Sequence, residues 1–367
     1  MANTKISALS SVTSLTGAET IPVVQSSVTK KATVTDLLNL EPPGLKNLLH
    51  NGNFSVDQRG NGTTHSVAVS TSAFSYYVDR WFANSTGAAL TGSLITGLGT
   101  SRYNYRLTGI VSNTGFNIGQ RVESINVGHL ASSTATLQFK VASSSLTTLT
   151  YTISYANTAD TFGTLGSPTK TTIVTGSVAV TATLTRQTVS FTMPANAFGV
   201  EILFTGGALV ASQTFTLADV QLESGSVATN FETRPYQTEL ALCQRYINGF
   251  TTSTYPGTTA GGYTVGVGYS TSTTNTHVFV PFAVPLRVRA TGITTPTSYG
   301  SFNLFNGSNT SGVPTAIAYV NQSGQQQGML AVTTTAASPT LTAGQGGYLQ
   351  FTYVATHQPI LFTGAEL

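Results

Sequence analysis

ADVQLESGSVATNFETRPYQTELALCQRYIN, Ala218 to Asn248, is the stretch on which the reading of this chain turns. The apolar run Phe215 to Leu222 has the character of a strand and stops at Glu223-Ser224-Gly225. An irregular segment follows, and then Pro235, which suits a first helical turn because its missing N–H is one the helix would leave unpaired. Beyond it Tyr236, Leu240, Cys243 and Ile247 recur at intervals of four, three and four, a single apolar stripe on a short helix. On both sides the chain reads as short strand-like runs separated by Ser, Thr and Gly. The stretch is therefore expected to be the seam between two β-domains.

Composition points the same way. Hydrophobic residues are 40% of the 367, enough for cores, while charged residues are only 8%, against about 25% in ordinary domains. Thr, Ser, Asn, Gln and Gly must supply the polar surface, a mix that favours pleated strands and deprives helices of Glu, Lys and Arg. The fold class is all-β. A net charge of +3 with no basic cluster denser than Lys30-Lys31 or Arg287/Arg289 argues against a nucleic-acid partner. Scarce surface charge suits a protein held in an assembly. The single Cys243 lies on the apolar stripe, as a buried thiol, and allows no internal disulfide. No apolar run approaches a membrane span, and MANTKISALSS lacks the apolar centre of a signal peptide, so neither membrane insertion nor export is expected.

Taken in order, residues 1–45 hold few apolar groups, among them Ile6, Leu9, Val12, Leu15, Ile21, Val23, Leu37 and Leu38, too few for an independent core. A turn is expected at Thr16 to Glu19, a strand at Ile21 to Val24, a helical turn capped by Thr35, and a linker at Glu41-Pro42-Pro43-Gly44. Residues 46–235 read as one jelly roll or β-sandwich. It opens with an apolar strand and an Asn51-Gly52 turn and continues through Tyr76 to Phe82. Further strands follow at Tyr103–Leu107, Thr136–Val141, Leu149–Tyr155, Thr172–Val180, Gln187–Met193, Gly199–Phe204 and Thr214–Leu222. Residues 236–247 are the linking helix. Residues 248–367 form a second β-sandwich, in which Tyr263, Val265, Val267 and Tyr269 alternate as one face of a strand.

Four segments carry a family resemblance. Lys5 to Leu37 (KISALSSVTSLTGAETIPVVQSSVTKKATVTDL) resembles the N-terminal attachment segment of tailed-bacteriophage fibre proteins. NLLHNGNFSVDQRG (Asn47–Gly60) with YVDRW (Tyr77–Trp81) is similar to the start of a jelly roll found in phage appendages. Ala218 to Tyr246 is similar to the end of that domain and its exit helix, and LFTGAEL (Leu361–Leu367) to the ending of such chains. The resemblance implies a virion structural protein, usually a homotrimer, on the outside of the particle. It would dock through the eight apolar residues named above on other virion proteins of the tail, collar or capsid. The same jelly roll resembles certain carbohydrate-binding modules, in which a structural calcium often ties the first turn to the last strand. Asn51, Asn53 and Asp219 occupy comparable positions here. One carboxylate is too few for calcium, and a hydrogen-bonded turn is the expectation. No cofactor or metal is expected.

Chemistry is hard to place. Asp57 with Asp79 is the one carboxylate pair that could be proposed for glycan cleavage, and Asp79 beside Arg80 reads more simply as an ion pair or turn cap. The five histidines show no ligand spacing and there is no phosphate-binding loop, so the chain is read as non-enzymatic. Trp81, inside the apolar run Tyr77 to Phe82, is read as core. Tyr255, Tyr263, Tyr269 and Tyr299 are the candidates for contact with host surface polysaccharide, with packing between copies as the competing role. Three copies of the stripe Tyr236, Leu240, Cys243 and Ile247 would pack around a trimer axis. The expected function is a tail or head fibre subunit on the virion exterior, made in the host cytoplasm. The alternatives are a capsid decoration protein without receptor role, a stand-alone carbohydrate-binding module, and a glycan depolymerase.

Overall fold

The computed structural model describes residues 18–34, 45–60, 62, 64–96, 101–196, 198–250, 263–308, 310–335, 338–352 and 359–367. Strands β1 (Thr20–Gln25) and β2 (Val28–Thr33) pair antiparallel into a hairpin that is a sheet of its own. Its turn, Ser26-Ser27, has φ of 54° and 62°, the doubly left-handed geometry that matches the strand twist. Ile21 and Val28 project from one face of this hairpin and Val24 from the other, all exposed. The turn expected at Thr16 to Glu19 and the apolar residues Ile6, Leu9, Val12, Leu15, Leu37 and Leu38 lie, wholly or in part, outside the described residues, as do the Thr35 cap and the Glu41–Gly44 linker.

The central domain is a jelly-roll sandwich of two six-stranded antiparallel sheets. Its strands are β3 (His65–Val67), β4 (Ser75–Val78), β5 (Trp81–Thr86), β6 (Leu90–Thr96), β7 (Tyr103–Thr108) and β8 (Gly115–Val122). They continue with β9 (Thr134–Ser143), β10 (Thr148–Ala156), β11 (Lys170–Ala179), β12 (Thr185–Thr192), β13 (Val200–Gly206) and β14 (Thr214–Ser224). One sheet has the order β11-β10-β13-β8-β5-β4, the other β12-β9-β14-β7-β6-β3. Between them Phe116, Ile118, Leu137, Phe139, Ile153, Ile202, Phe204, Phe215 and Leu217 interdigitate in one buried core. Trp81 belongs to that core, packed on Phe54 at 5.0 Å between ring centroids, with its indole N–H donated to the Asn51 carbonyl at 2.9 Å.

The outer face of the first sheet carries a ladder of neutral polar side chains. Ser177, Thr150, Thr205, Asn117 and Asn84 lie side by side across five strands. The Thr205 hydroxyl donates to Asn117 Oδ1 at 2.7 Å and the Asn117 amide to Asn84 Oδ1 at 3.0 Å. This is how a chain with so few charges covers a sheet: cross-strand hydroxyl and amide pairs satisfy one another on the pleat.

The helix Tyr236–Gln244 follows, and then the second β-sandwich with a core of its own. Its strands are β15 (Asn248–Phe250), β16 (Tyr263–Ser270), β17 (Asn275–Pro281), β18 (Gly292–Thr294), β19 (Phe302–Asn306) and β20 (Ser311–Gly312), then β21 (Ala316–Tyr319), β22 (Gln327–Thr333), β23 (Gly346–Phe351) and β24 (Ile360–Thr363). A seven-stranded sheet, β20-β19-β23-β16-β17-β22-β21, packs against the three-stranded β15-β24-β18.

Three expectations are corrected. The run Leu48 to His50 is extended but forms no ladder strand, because Leu48 N–H alone reaches across, to the Leu222 carbonyl at 2.8 Å. The helix ends at Gln244, one turn short of Ile247. Its apolar stripe is also spent inside the chain. Leu240 and Cys243 pack with Val56 of the jelly roll, Ile247 is 1% exposed, and Tyr236 alone is largely open. Periodicity reported an apolar face correctly but not its partner, and a stripe already covered cannot also line a trimer axis.

Candidate functional site

Two constellations stand out, the ionic seam between the domains and one face of the C-terminal sheet. The seam begins at Asn51, whose left-handed φ of 56° turns the first segment back on itself. Its side chain closes that turn, accepting from Val56 N–H at 2.9 Å and donating to the carbonyls of Val56 and Asp79 at 2.7 and 2.9 Å. Gly52 then lies so close to the last strand that a Cβ there would stand 2.1 Å from the Val220 carbonyl oxygen. Val220 N–H donates to the Gly52 carbonyl at 3.0 Å, and the Asn47 amide to the Val220 carbonyl at 3.0 Å.

First turn and last strand are thus joined by direct hydrogen bonds. The donor set does not fit calcium: both Asn51 side-chain atoms are engaged, Asn53 Oδ1 takes Ser55 N–H at 3.3 Å, and Asp219 faces Lys140 at 2.7 Å. Among the described residues no group of three or more His, Cys, Asp or Glu is placed to hold a metal ion.

Segment 232–239 of the opening stretch grips the same region. Glu232 accepts Asn47 N–H at 2.8 Å, Glu239 accepts Asn51 N–H, and Arg234 sits between the two carboxylates at 3.2 and 3.4 Å while donating to the carbonyls of Asn47 and Leu49. All three side chains are nearly sealed from solvent. Burial raises the Glu239 carboxyl above its ordinary range, against the pull of Arg234.

Asp79 and Arg80 form the β4–β5 turn, with Arg80 at φ 70°. Of the two readings of this dipeptide, ion pair or turn cap, the ion pair does not form. Asp79 accepts Gln58 N–H at 2.5 Å and the Gln58 amide at 2.8 Å, with Arg59 3.9 Å away. Arg80 turns the other way, into an ion pair with Glu366, a hydrogen bond to the Arg121 carbonyl at 2.5 Å and a stack on Tyr246 at 3.4 Å. Residues 364–367 run as a strap from β24 back onto the jelly roll. Arg59 reaches Glu366 at 3.1 Å, and Arg121 and the Tyr76 hydroxyl both donate to the Leu367 oxygen, at 2.9 and 2.8 Å. Arg287 holds the Ala365 and Glu366 carbonyls and, with Arg245, faces the buried Glu123.

Seven carboxylates are buried in this way or in the sheets: Asp79, Glu123, Glu201, Asp219, Glu223, Glu232 and Glu239. Their partners are structural. Asp57, the other half of the proposed pair, caps the Gly60 and Gly62 amides at 2.8 Å each.

The seam sets the acid response of the fold. Burial, reinforced by Arg80, Arg234 and Arg245, holds the His50 pKa well below its ordinary value, so the native state excludes a proton that the unfolded chain takes up below about pH 6.5. That contribution is lost as pH falls. Burial pushes Asp79 up to about 6, so between about pH 4 and 6 the native state holds a proton the unfolded chain has released, and this contribution is lost as pH rises. The two oppose each other. His50→Gln is expected to leave the Asp79 slope exposed, with stability falling by up to about 1.4 kcal/mol per pH unit relative to the parent between pH 4 and 6. Urea midpoints across that range check it, and parallel profiles for parent and variant would refute the assignment.

The second constellation is the outward face of the seven-stranded sheet. Phe305, Tyr348, Val267, Phe279 and Met329 stand in one row across β19, β23, β16, β17 and β22. Tyr269, His277 and Ala331 form the row beside it. Phe305 and Tyr348 are stacked with nearly parallel planes, 2° apart with centroids 4.8 Å apart, and Tyr269 leans on His277 and Phe279 at 5.9 and 6.3 Å. Val267 is 60% and Tyr269 42% exposed. The result is an uncharged, aromatic platform.

Of the tyrosines expected to meet glycans, Tyr269 lies on this platform. Tyr263 and Tyr299 pack against the C-terminal core instead, and Tyr255 lies outside the described residues. The alternation Tyr263, Val265, Val267, Tyr269 suggested one shared face, but a bulge between Thr264 and Gly266 reverses the parity. Val265 is therefore 5% exposed and Val267 60%. Phe279, Phe305 and Tyr348 escaped sequence reasoning because a row across strands joins residues distant in the chain.

No protein-family model and no curated protein matches this chain. Several solved structures resemble it over about half its length. A carbohydrate-binding module solved with β-1,4-galactotriose is 12% identical, covering 49% of this chain and 99% of its own, with a TM-score of 0.29. A putative sugar-binding protein from Bacteroides thetaiotaomicron is 13% identical, covering 49% of this chain and 100% of its own, at 0.36. The enzymatically active domain of tailspike protein 4 from bacteriophage CBA120 is 12% identical over 49% of this chain, at 0.29, and this chain spans 21% of its length.

Proposed function

We propose that this chain is a projecting structural subunit on the exterior of a tailed-phage virion, docked by its N-terminal segment and holding host surface glycans on the platform of its C-terminal sheet. The observation that carries the receptor role is the aromatic row Phe305, Tyr348, Val267, Phe279. A neutral row of aromatic and aliphatic side chains suits the C–H faces of sugar rings, and many weak contacts add through multivalency when copies are presented together. The docking role is supported by the β1–β2 hairpin. An isolated two-stranded hairpin is marginal in water, and this one exposes apolar groups on both faces, so a neighbouring surface must complete it. The resemblance of Lys5 to Leu37 to fibre attachment segments makes another virion protein that surface, with homotrimeric assembly as its usual companion. The seam supports the absence of catalysis, since its carboxylates are consumed by structural partners.

Val24→Asp with Val28→Asp is expected to cut incorporation into particles at least about tenfold, because each buries a charge in the docked state. The unfolding midpoint of the purified protein should stay unchanged. Normal incorporation would remove the docking role. For the receptor role, Tyr269→Ala with Val267→Lys should abolish retention of the purified chain on immobilised host lipopolysaccharide and capsular polysaccharide. Equal retention of parent and variant would refute the platform. The same face could instead pack against other copies, as in a decoration protein. Sedimentation of the Val267→Lys chain separates these, because loss of assembly favours packing and intact assembly with lost retention favours glycan contact.

A further inference from the structure

A cavity of about 380 Å3 opens at the edge of the jelly roll, where the loop following Phe54 meets β6, β7 and the first turn of the helix Tyr236–Gln244. It is lined by Ser55, Asp57, Leu94, Arg102, Tyr103 and Tyr236. Its place and chemistry differ from those of the C-terminal platform. Leu94 and Tyr103 press against the domain core from the inner side and give the cavity a fixed apolar wall. Tyr236, the one member of the helical stripe that the jelly roll does not cover, also lines it, at 45% exposure.

Four polar groups converge on this wall with capacity to spare. The Asp57 carboxylate is anchored by two backbone amides, one on each oxygen, which fix its orientation and leave its remaining lone pairs unfilled. Among the described residues no cation lies within ion-pair reach of it. The Ser55 hydroxyl is sealed from solvent and has no hydrogen-bond partner, a costly condition. The Arg102 guanidinium is stacked 5.2 Å from the Tyr103 ring and joins no ion pair among the described residues. Burial, with Asp79, Cys243 and Asp57 behind it, keeps the Tyr236 hydroxyl protonated and a donor.

The lining therefore sums to zero charge and brings a carboxylate, a guanidinium and two tyrosine rings together in one cavity. A neutral polyhydroxylated ring answers these groups: hydroxyls donate to Asp57 and accept from Arg102, and the C–H face lies on a tyrosine. We propose that this cavity is a saccharide subsite that takes a single neutral pyranose at the end or branch of a glycan. It is separate from the C-terminal platform and stands whether or not that platform binds anything.

The test is saturation-transfer NMR and calorimetry on the full chain with the methyl glycosides of glucose, galactose and mannose and with N-acetylglucosamine. At least one of these is expected to bind with millimolar affinity. Arg102→Ala, at an exposed position, and Asp57→Asn, which keeps one of the two acceptors for the loop, should each weaken it roughly tenfold, about the loss of one good hydrogen bond to a charged group. The unfolding midpoint of Arg102→Ala should be unchanged, and Tyr269→Ala on the platform should bind as the parent does. The proposal is overturned if none of the four probes binds, if Arg102→Ala binds as tightly as the parent, or if Tyr269→Ala abolishes the binding. Preferential binding of a zwitterionic amino acid such as glycine over all four sugars would also overturn it.

Discussion

Arg80→Ala is expected to destabilise the chain by about 3–5 kcal/mol and to divide its unfolding into two calorimetric transitions. The guanidinium is 1% exposed and serves three partners at once: the Glu366 carboxylate, the Arg121 carbonyl and the Tyr246 ring. Removing one member of a buried pair weakens the compensation of the other, which is the expensive way to break it. Here the partner, Glu366, keeps only Arg59 at 3.1 Å among the described residues and belongs to the strap that carries the second β-sandwich onto the jelly roll, so the loss uncouples two cores. Glu366→Gln leaves the buried Arg80 cation without its carboxylate and should cost a comparable amount. A single transition in Arg80→Ala at the parent's temperature would show that the strap does not couple the domains.

Arg234→Ala should be more damaging still. Glu232 and Glu239 flank Arg234, and both hold backbone amides of the 47–51 segment, the Asn47 and Asn51 N–H groups. Without the cation, two nearly buried carboxylates would face each other beneath the first turn of the domain. A cost at the upper end of about 3–5 kcal/mol is expected, a large part of a typical domain's stability. Insoluble expression would be uninformative alone, so the measurement is a rescue. Arg234→Met combined with Glu232→Gln and Glu239→Gln removes all three charges and keeps the acceptors for both amides. It should recover most of the loss by urea unfolding. A triple variant no better than Arg234→Ala would mean that the Asn47 and Leu49 carbonyls, not the charges, are what Arg234 serves.

How much of this could be read from the sequence differs by element. Strands such as Leu149–Tyr155 and Thr214–Leu222 declared themselves through β-branched and aromatic alternation, and the structure extends each by a residue or two. Strands β5 and β8 did not, because WFANST and GFNIGQRV interleave Asn, Gly and Gln that are buried in a ladder and its hydrogen bonds. Within the Ala218–Asn248 stretch the bonding was invisible in the sequence. Arg80 meets Glu366 across 286 residues, and the adjacent Asp79 was the natural but mistaken partner. The platform was legible only at Tyr269, since one bulged residue redirects half of β16 and no local pattern announces a bulge. The cavity in the jelly roll had no sequence signature: Asp57, Arg102 and Tyr236 come from three separate segments, and topology alone assembles them.

The ladder Ser177, Thr150, Thr205, Asn117, Asn84 has a consequence beyond covering its sheet. Along this row hydroxyls and amides stand where lysines and glutamates often do, and the charges farther along the same face, Arg121, Glu201 and Lys170, are paired with one another. Ionic strength, whether of fresh water or brine, therefore has little to screen along the row itself. What touches the row is decided at contact distance, hydroxyl against hydroxyl.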